Sequence, residues 1–436
     1  MQPGTSSFPK PLPSAMAPTV SFQVSDALFR LALDALSECG DESAVVSPFS
    51  IAMAMAAANL GARGNSSQEI TDGIFDGIPK EKVSKLFREL LVFDETKDFI
   101  KSTSCFGQLF AEIKKSRRTE QKEFFPLRFP IKVASAVFLD VSLTSVIYLY
   151  LLQKTVEVKK TYTKDLVEYL KSDLKSVDFL HDSQSQVAAL NEYVEEKTEG
   201  KIKDLFNESS IDSSTRIVLV NAVRVTVKFE ELFYKERTKP EPFYNEDGTT
   251  KEVPMMNDSK KGYFTENDQF VYTQIPCDGI ALPKTKSDFC FSLIVPKNGK
   301  LADLKHKFKS NGPSISSVIA DAPFAQLIRM ALPKFKAENS YNLVDTLRKL
   351  GISDIFDKAR ADFSGISDTP LVVDMVAHKA VIELDEKGVE GAAAKTIGGA
   401  YTWRVEPPKV EHIRADKPFL YTVTYKDIPV FVGQFY

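Results

Sequence analysis

Apolar residues recur at helical spacing at Leu28, Leu31, Ala32, Ala35 and Leu36. The spacing predicts an amphipathic helix with Ser25 and Asp26 at its cap and Gly40 at its end. The device repeats with Ser47 as cap and Pro48 in the first turn. The alanine- and methionine-rich run up to Gly61 is apolar on nearly every side, so this second helix is expected to be buried. Further helices are expected over Tyr162 to Ser172 and between Ser185 and Gly200. The stretches Ile217 to Val227, Val253 to Met256, Phe289 to Val295 and Phe419 to Thr424 are rich in β-branched and aromatic residues and read as strands. Helices and strands are interspersed without a regular βαβ repeat, which points to an α+β fold.

The most informative pattern lies near the carboxyl end. His378, Ala380, Ile382 and Leu384 fall on one face and Lys379, Val381, Glu383 and Asp385 on the other, the period of a half-buried strand. Then the alternation stops. Gly388, Gly391 and Ala392 to Ala394 have almost nothing to bury, and Gly398, Gly399, Tyr401, Thr402, Trp403 and Arg404 follow before the breaker pair Pro407 and Pro408. Such a loop is exposed as it stands, yet its first side chains are small enough to enter a sheet.

Composition narrows the class. The chain has 436 residues, 43% hydrophobic and 26% charged, enough to bury a large core. No linker rich in Pro, Gly and Ser divides its middle, so one domain is expected over 21–436 behind a flexible segment 1–20. A net charge of −3 gives no argument for nucleic acid or an anionic membrane. The first residues carry a single Lys10 and no apolar run, which favours the cytoplasm; an extracellular site would need an incomplete N-terminus or unconventional export. Cys39, Cys105, Cys277 and Cys290 lie far apart, so reduced thiols are expected rather than a zinc site or disulfide framework. The sequons at Asn65, Asn207 and Asn257 would matter only in a secreted chain. Without a GxSxG elbow, a phosphate loop or a metal-spaced cluster, no enzyme, cofactor or metal is expected.

Two stretches stand apart. Leu143 to Leu152 is very apolar but too short for a bilayer, which takes about 20 residues. It is read as an added strand, an interaction surface or a mistranslated stretch. The basic run Lys114, Lys115, Arg117 and Arg118 is read mainly as a solvated loop, with an anion site as the alternative.

The segment HKAVIELDEKGVEGAAA, His378 to Ala394, resembles the hinge of the serpins, inhibitors of serine proteases. Other segments resemble the family in the same order: SPFSIAMAMAAANLGARGNSSQEI from Ser47, LNEYVEEKTEGKIKDL from Leu190, TRIVLVNAV from Thr215, PFYNEDGTTKEVPMM from Pro242, ALPKF from Ala331, LGISDIFDKARADFSGIS from Leu350 and ADKPFLYTV from Ala415. The resemblance implies about nine helices around three β-sheets with an exposed reactive loop, and apparent insertions near 100–125 and 141–160. It also implies a suicide substrate for a serine protease, cut in its loop, which then inserts into the main sheet. The alternative is a non-inhibitory relative acting as carrier, chaperone or storage protein.

The resemblance also assigns roles. Glu386, Lys387, Gly388, Val389, Glu390, Gly391, Ala392, Ala393 and Ala394 match the loop hinge. Ser47, Ser50, Asn221 and His378 match a polar cluster that governs opening of the sheet, and Lys334, with Glu386, matches a pair at the loop base. Phe229 stands where the family usually has Trp, and Val227 where it has Gly. Lys395 stands where a small Thr is common and, by alternation from Val389, would face inward after insertion. Family spacing, counted from Gly388, puts the bait at Thr402; a trypsin-like pocket would prefer Arg404. The expected partner is a serine protease, trypsin-like if Arg404 is the bait, with a cysteine protease as an alternative, and the chain is expected to be a monomer.

Overall fold

The computed structural model describes residues 19–91, 133–134, 146–153, 156–170, 173–177, 185, 187–192, 194–195, 200, 202–207, 211, 215–224, 227–277, 287–310, 312–389 and 409–436. The chain opens with helix α1, Val20–Ser37, strand β1, Ala44–Val46, and helices α2, Pro48–Gly61, α3, Gly64–Phe75, and α4, Lys80–Leu91. Strands β2, Val133–Ala134, and β3, Val146–Gln153, come next, followed by α5, Lys160–Asp165, a π-helical turn Leu166–Leu170, and β4, Asp173–Val177. Residues 187–192 are helical, ahead of β5, Ile217–Arg224, and β6, Val227–Lys228. The remaining elements are β7, Thr238–Tyr244, β8, Thr250–Glu266, β9, Phe270–Cys277, β10, Phe289–Pro296, α6, Leu301–Lys309, α7, Ile315–Asp321, β11, Phe324–Pro333, β12, Phe335–Asn342, α8, Val344–Lys349, β13, Val373–Asp385, β14, Gly388–Val389, β15, Glu411–Arg414, β16, Phe419–Tyr425, and β17, Ile428–Phe435.

Helix α1 begins earlier than its caps suggested. The Thr19 hydroxyl accepts from the Phe22 N–H at 3.3 Å, and the buried stripe already includes Val24. Ser25 and Asp26 therefore lie inside the helix and bond across the molecule instead. The Ser25 hydroxyl donates to the Asp427 carbonyl at 2.8 Å, and the Asp26 carboxylate accepts from the N–H and hydroxyl of Ser316 in α7. Helix α2 starts where expected, at Ser47 and Pro48, and every residue except Leu60 is buried.

Two hydrogen-bonded sheets organise the described residues. The first runs β1-β17-β16-β10-β9-β8-β11-β15, with β7 added beside β8. The long strand β8 joins what would otherwise be two sheets. The second runs β2-β3-β5-β13-β14-β6, with β12 on β13 and β4 on β3. Its centre is the parallel pair β5 and β13, with His378 opposite Asn221. Residues 146–152 pair antiparallel with β5. Val146 to Leu152 of the apolar run thus form a strand of this sheet beside its centre, while 143–145 lie outside the described residues.

Strand β13 was expected to be half buried and is buried on both faces over most of its length. Ala380, Ile382 and Leu384 face the main core shared with α1 and α2. On the other face, Ala377 and Val381 join Val218, Val220 and Ala222 of β5 beneath Val187, Leu190 and Val194 of the covering helix. Asn191 holds that helix to the following segment by accepting from the Phe206 N–H at 2.9 Å and donating to its carbonyl at 2.8 Å.

Gly433 in β17 lies opposite Tyr421 of β16, and an added Cβ would sit 2.1 Å from the Tyr421 ring. That ring is fully buried and cannot swing away. Gly433→Ala should therefore destabilise the chain by about 1–3 kcal/mol, seen as a lower urea midpoint with an unchanged slope.

Candidate functional site

The candidate site begins where β13 ends. Glu386 and Lys387 form a two-residue turn, and Gly388 at φ +117° starts β14, a backbone conformation that side chains other than glycine rarely adopt. Strand β14 runs back antiparallel to β13, with Leu384 opposite Val389 and Asp385 opposite Gly388. Its other edge pairs antiparallel with β6, Gly388 to Lys228 and Val389 to Val227. Lower down, β13 and β5 bond directly as far as Val381 and Arg224. Past that point β14 lies between β13 and β6, so the sheet carries one more strand at this end than at its middle.

Backbone donors hold the turn. The N–H of Phe229 donates to the Lys387 carbonyl at 3.0 Å and that of Phe233 to the Glu386 carbonyl at 2.8 Å. Both rings are buried and meet edge to face at 5.3 Å, and Phe229 also meets Phe291 at 5.8 Å. Phenylalanine at 229 keeps an aromatic wedge at the loop base. Lys334 Nζ lies 3.1 Å from Glu386 Oε2, and its backbone N–H donates to Pro254 on β8. Burial opposes ionisation of Glu386, but its own backbone N–H and Lys334 outweigh that and leave the carboxyl below its usual range. The lysine side chain is 40% exposed, so the pair contributes at most about 1 kcal/mol.

The second constellation sits further down β13, against the start of α2. The Ser47 N–H donates to His378 Nε2 at 3.1 Å, and the Ser47 hydroxyl donates to the Val430 carbonyl at 2.7 Å. The Ser50 hydroxyl donates to the Ser47 carbonyl at 2.9 Å, and all three side chains are buried. The imidazole stacks on Tyr341 at 5.8 Å. Asn221 is in register with His378 on the neighbouring strand and is equally buried, yet both atoms of its carboxamide, like His378 Nδ1, lack a hydrogen-bond partner among the described residues. The structure therefore joins Ser47, Ser50 and His378 by hydrogen bonds and places Asn221 beside them without bonding its side chain. Burial pulls the imidazole down to about 3, with the Asn221 backbone opposing, so the ring is neutral near neutral pH.

A family model described as "Serpin (serine protease inhibitor)" matches residues 26–436. The chain belongs to the serpin family. Among its relatives, the leukocyte elastase inhibitor of Sus scrofa is 30% identical over 92% of this chain and 96% of its own length. That of Homo sapiens is 29% identical over 95% of this chain and 99% of its own. The structure of Serpin48 from the insect Tenebrio molitor superposes with a TM-score of 0.72 at 22% identity, covering 95% of this chain and 97% of that one, which concerns the fold. This serpin is thus a protease inhibitor rather than an enzyme, and its partner is a protease.

Glu390, Gly391, Ala392, Ala393, Ala394, Lys395, Thr402 and Arg404 lie outside the described residues, as does the basic run 114–118. Two contributors to the loop base escaped the sequence reading. Phe233 belongs to no predicted element. Lys260 follows strand alternation with Met256, Gly262 and Phe264, which signals a lysine on the inward face of β8, but the strand was expected to stop at Met256.

Because His378 has a folded pKa below its unfolded value of about 6.5, its stabilisation is present above that pH and lost as pH falls towards 3. Unfolding free energy should fall by up to about 1.4 kcal/mol per pH unit through that window from this group alone. His378→Gln should remove that component, seen by comparing urea unfolding of the two proteins at several pH values.

Proposed function

We propose that this serpin is a suicide substrate whose cut loop enters the second sheet between β5 and β13. One observation carries the reading: β14 already runs antiparallel to both β13 and β6, in the place an inserted strand would take. Continuing it downward would part the β5 and β13 pairing from Val381 and Arg224 towards His378 and Asn221. Each new backbone hydrogen bond contributes about 0.5–1.5 kcal/mol net, while ordering a loop residue costs about 1–2 kcal/mol. The driving force must therefore come largely from relief of an intact sheet that is not at its free-energy minimum, held by a kinetic barrier. Cleavage frees the loop while the protease is still joined to it by an acyl bond. Its removal across the sheet deforms the protease active site before that bond is hydrolysed.

In this reading Glu386 to Ala394 are the hinge, Lys334 and Phe229 hold its base, and Ser47, Ser50, Asn221 and His378 resist strand separation. Asn221 and His378 stand on the two strands that must part, and their buried polar side chains can re-pair with an arriving strand. We assign the bait to Arg404, with Thr402 as the alternative by spacing, and hence a trypsin-like target. Lys395, midway between Gly388 and Thr402, faces inward after insertion and opposes it, since burying an unpaired ammonium costs several kcal/mol. This serpin is taken to act as a monomer. A reducing compartment suits the buried Cys277 and Cys290 thiols, which donate to backbone carbonyls. No helix among the described residues is long and apolar enough to cross a membrane.

Mixing with trypsin should give a complex that survives boiling in detergent. The mass of the released carboxyl-terminal peptide should begin at Val405 if Arg404 is the bait and at Trp403 if it is Thr402. Clean cleavage without a complex would leave only the shared fold. Nicking the loop with a protease that forms no complex should raise the melting transition strongly, and an unchanged transition would remove insertion from the mechanism. Lys395→Thr should lower the number of inhibitor molecules consumed per protease inactivated, measured by titration of residual activity.

A further inference from the structure

Lys260 lies on β8, opposite Ile328 of β11, and is 2% exposed although it carries an ammonium. Such a group is retained only where its charge is answered. Its Nζ donates to the Leu232 carbonyl at 2.7 Å and to Asp258 Oδ2 at 2.9 Å, and it lies 4.3 Å from the centre of the Phe233 ring. The Asp258 side chain is only 4% exposed, and its other oxygen accepts from Arg237 at 2.6 Å. The Leu232 carbonyl and the Phe233 ring belong to consecutive residues, so one buried cation fixes both the backbone and the side chain of this segment. The Phe233 N–H in turn holds the Glu386 carbonyl, and the Phe229 ring packed on Phe233 carries the N–H that holds Lys387. A continuous path of contacts thus runs from a buried ion pair on β8 to the last two carbonyls before Gly388.

We propose that Lys260 is a positioning residue for loop release: by fixing Leu232 and Phe233 it keeps the bracket of two N–H donors closed on Glu386 and Lys387, and so sets how readily the uncut loop enters the sheet. This rests on the insertion reading above. The bracket differs from the Lys334 and Glu386 pair, because its donors are backbone groups and its anchor is a desolvated cation against an aromatic face.

The test compares two buried lysines. Lys305 is 5% exposed and donates to Gln434 Oε1 at 2.7 Å, in a site built from α6 and β17 without contact to the loop base. Lys260→Met and Lys305→Met both delete a buried ammonium, and both should lower the urea midpoint. Held at a fixed temperature below melting, K260M should convert to a form that resists urea, with its loop uncut, about ten-fold faster than wild type, a barrier change of about 1.4 kcal/mol. K305M should convert at the wild-type rate. Equal conversion by K260M and K305M would overturn the proposal, as would a wild-type rate for K260M. If K260M does not fold, Phe233→Leu decides: it keeps the N–H donor, removes the ring under the cation, and should convert faster than K305M, whereas a wild-type rate overturns the proposal. A wild-type chain whose loop-cleaved form is no more urea-resistant than the intact one would defeat the insertion reading itself, and this proposal with it.

Discussion

Everything in the second sheet depends on the direct parallel pairing of β5 with β13. These strands are bonded from Ile217 and Val373 to Arg224 and Val381, yet the chain leaves the end of β13 by a two-residue turn that points it back along the same seam. A parallel pair has no short connection between its members. A strand returning from β13, by contrast, is antiparallel to both neighbours and meets no topological barrier between them. The barrier is energetic: the existing hydrogen bonds must break before new ones form.

The apolar contacts across the seam raise that barrier. Val187, Leu190 and Val194 cover β5 and β13 together, so parting the strands disturbs burial on that face as well as the ladder. On the opposite face the seam rests on the amino end of α2, where Ser47 reaches both His378 of β13 and Val430 of β17. That one serine links the two sheets. Its position follows from its role as N-cap of a helix that is buried all round.

The polar cluster sits on β13 and the loop base at the turn that ends it, eight residues apart from His378 to Glu386, or about 26 Å at strand rise. They are different in kind. The loop base is held by backbone donors, a partly exposed ion pair and a buried cation behind an aromatic wedge. The cluster is held by neutral groups, since burial keeps His378 uncharged. Release at one end and separation at the other can therefore be altered independently by mutation or pH.

Local features of the sequence determined much of this. The Ser47 and Pro48 start of α2, its all-round burial, the alternation that makes β13 a strand and its abrupt loss after Asp385 are short-range properties of propensity and period, and the hinge motif rests on adjacent residues. Tertiary structure decided what those elements face. The caps read at Ser25 and Asp26 became links to Asp427 and Ser316 because the buried stripe of α1 starts at Val24. Val146 to Leu152 of the apolar run became a partner of β5, and β13 became buried on both sides because a helix covers it. Lys260 could be placed inside only once β8 was seen to run seventeen residues. Ser47 and His378 are 331 positions apart. Contacts of that kind are chosen by competition for burial and hydrogen bonding across the whole chain, which no local window of residues contains.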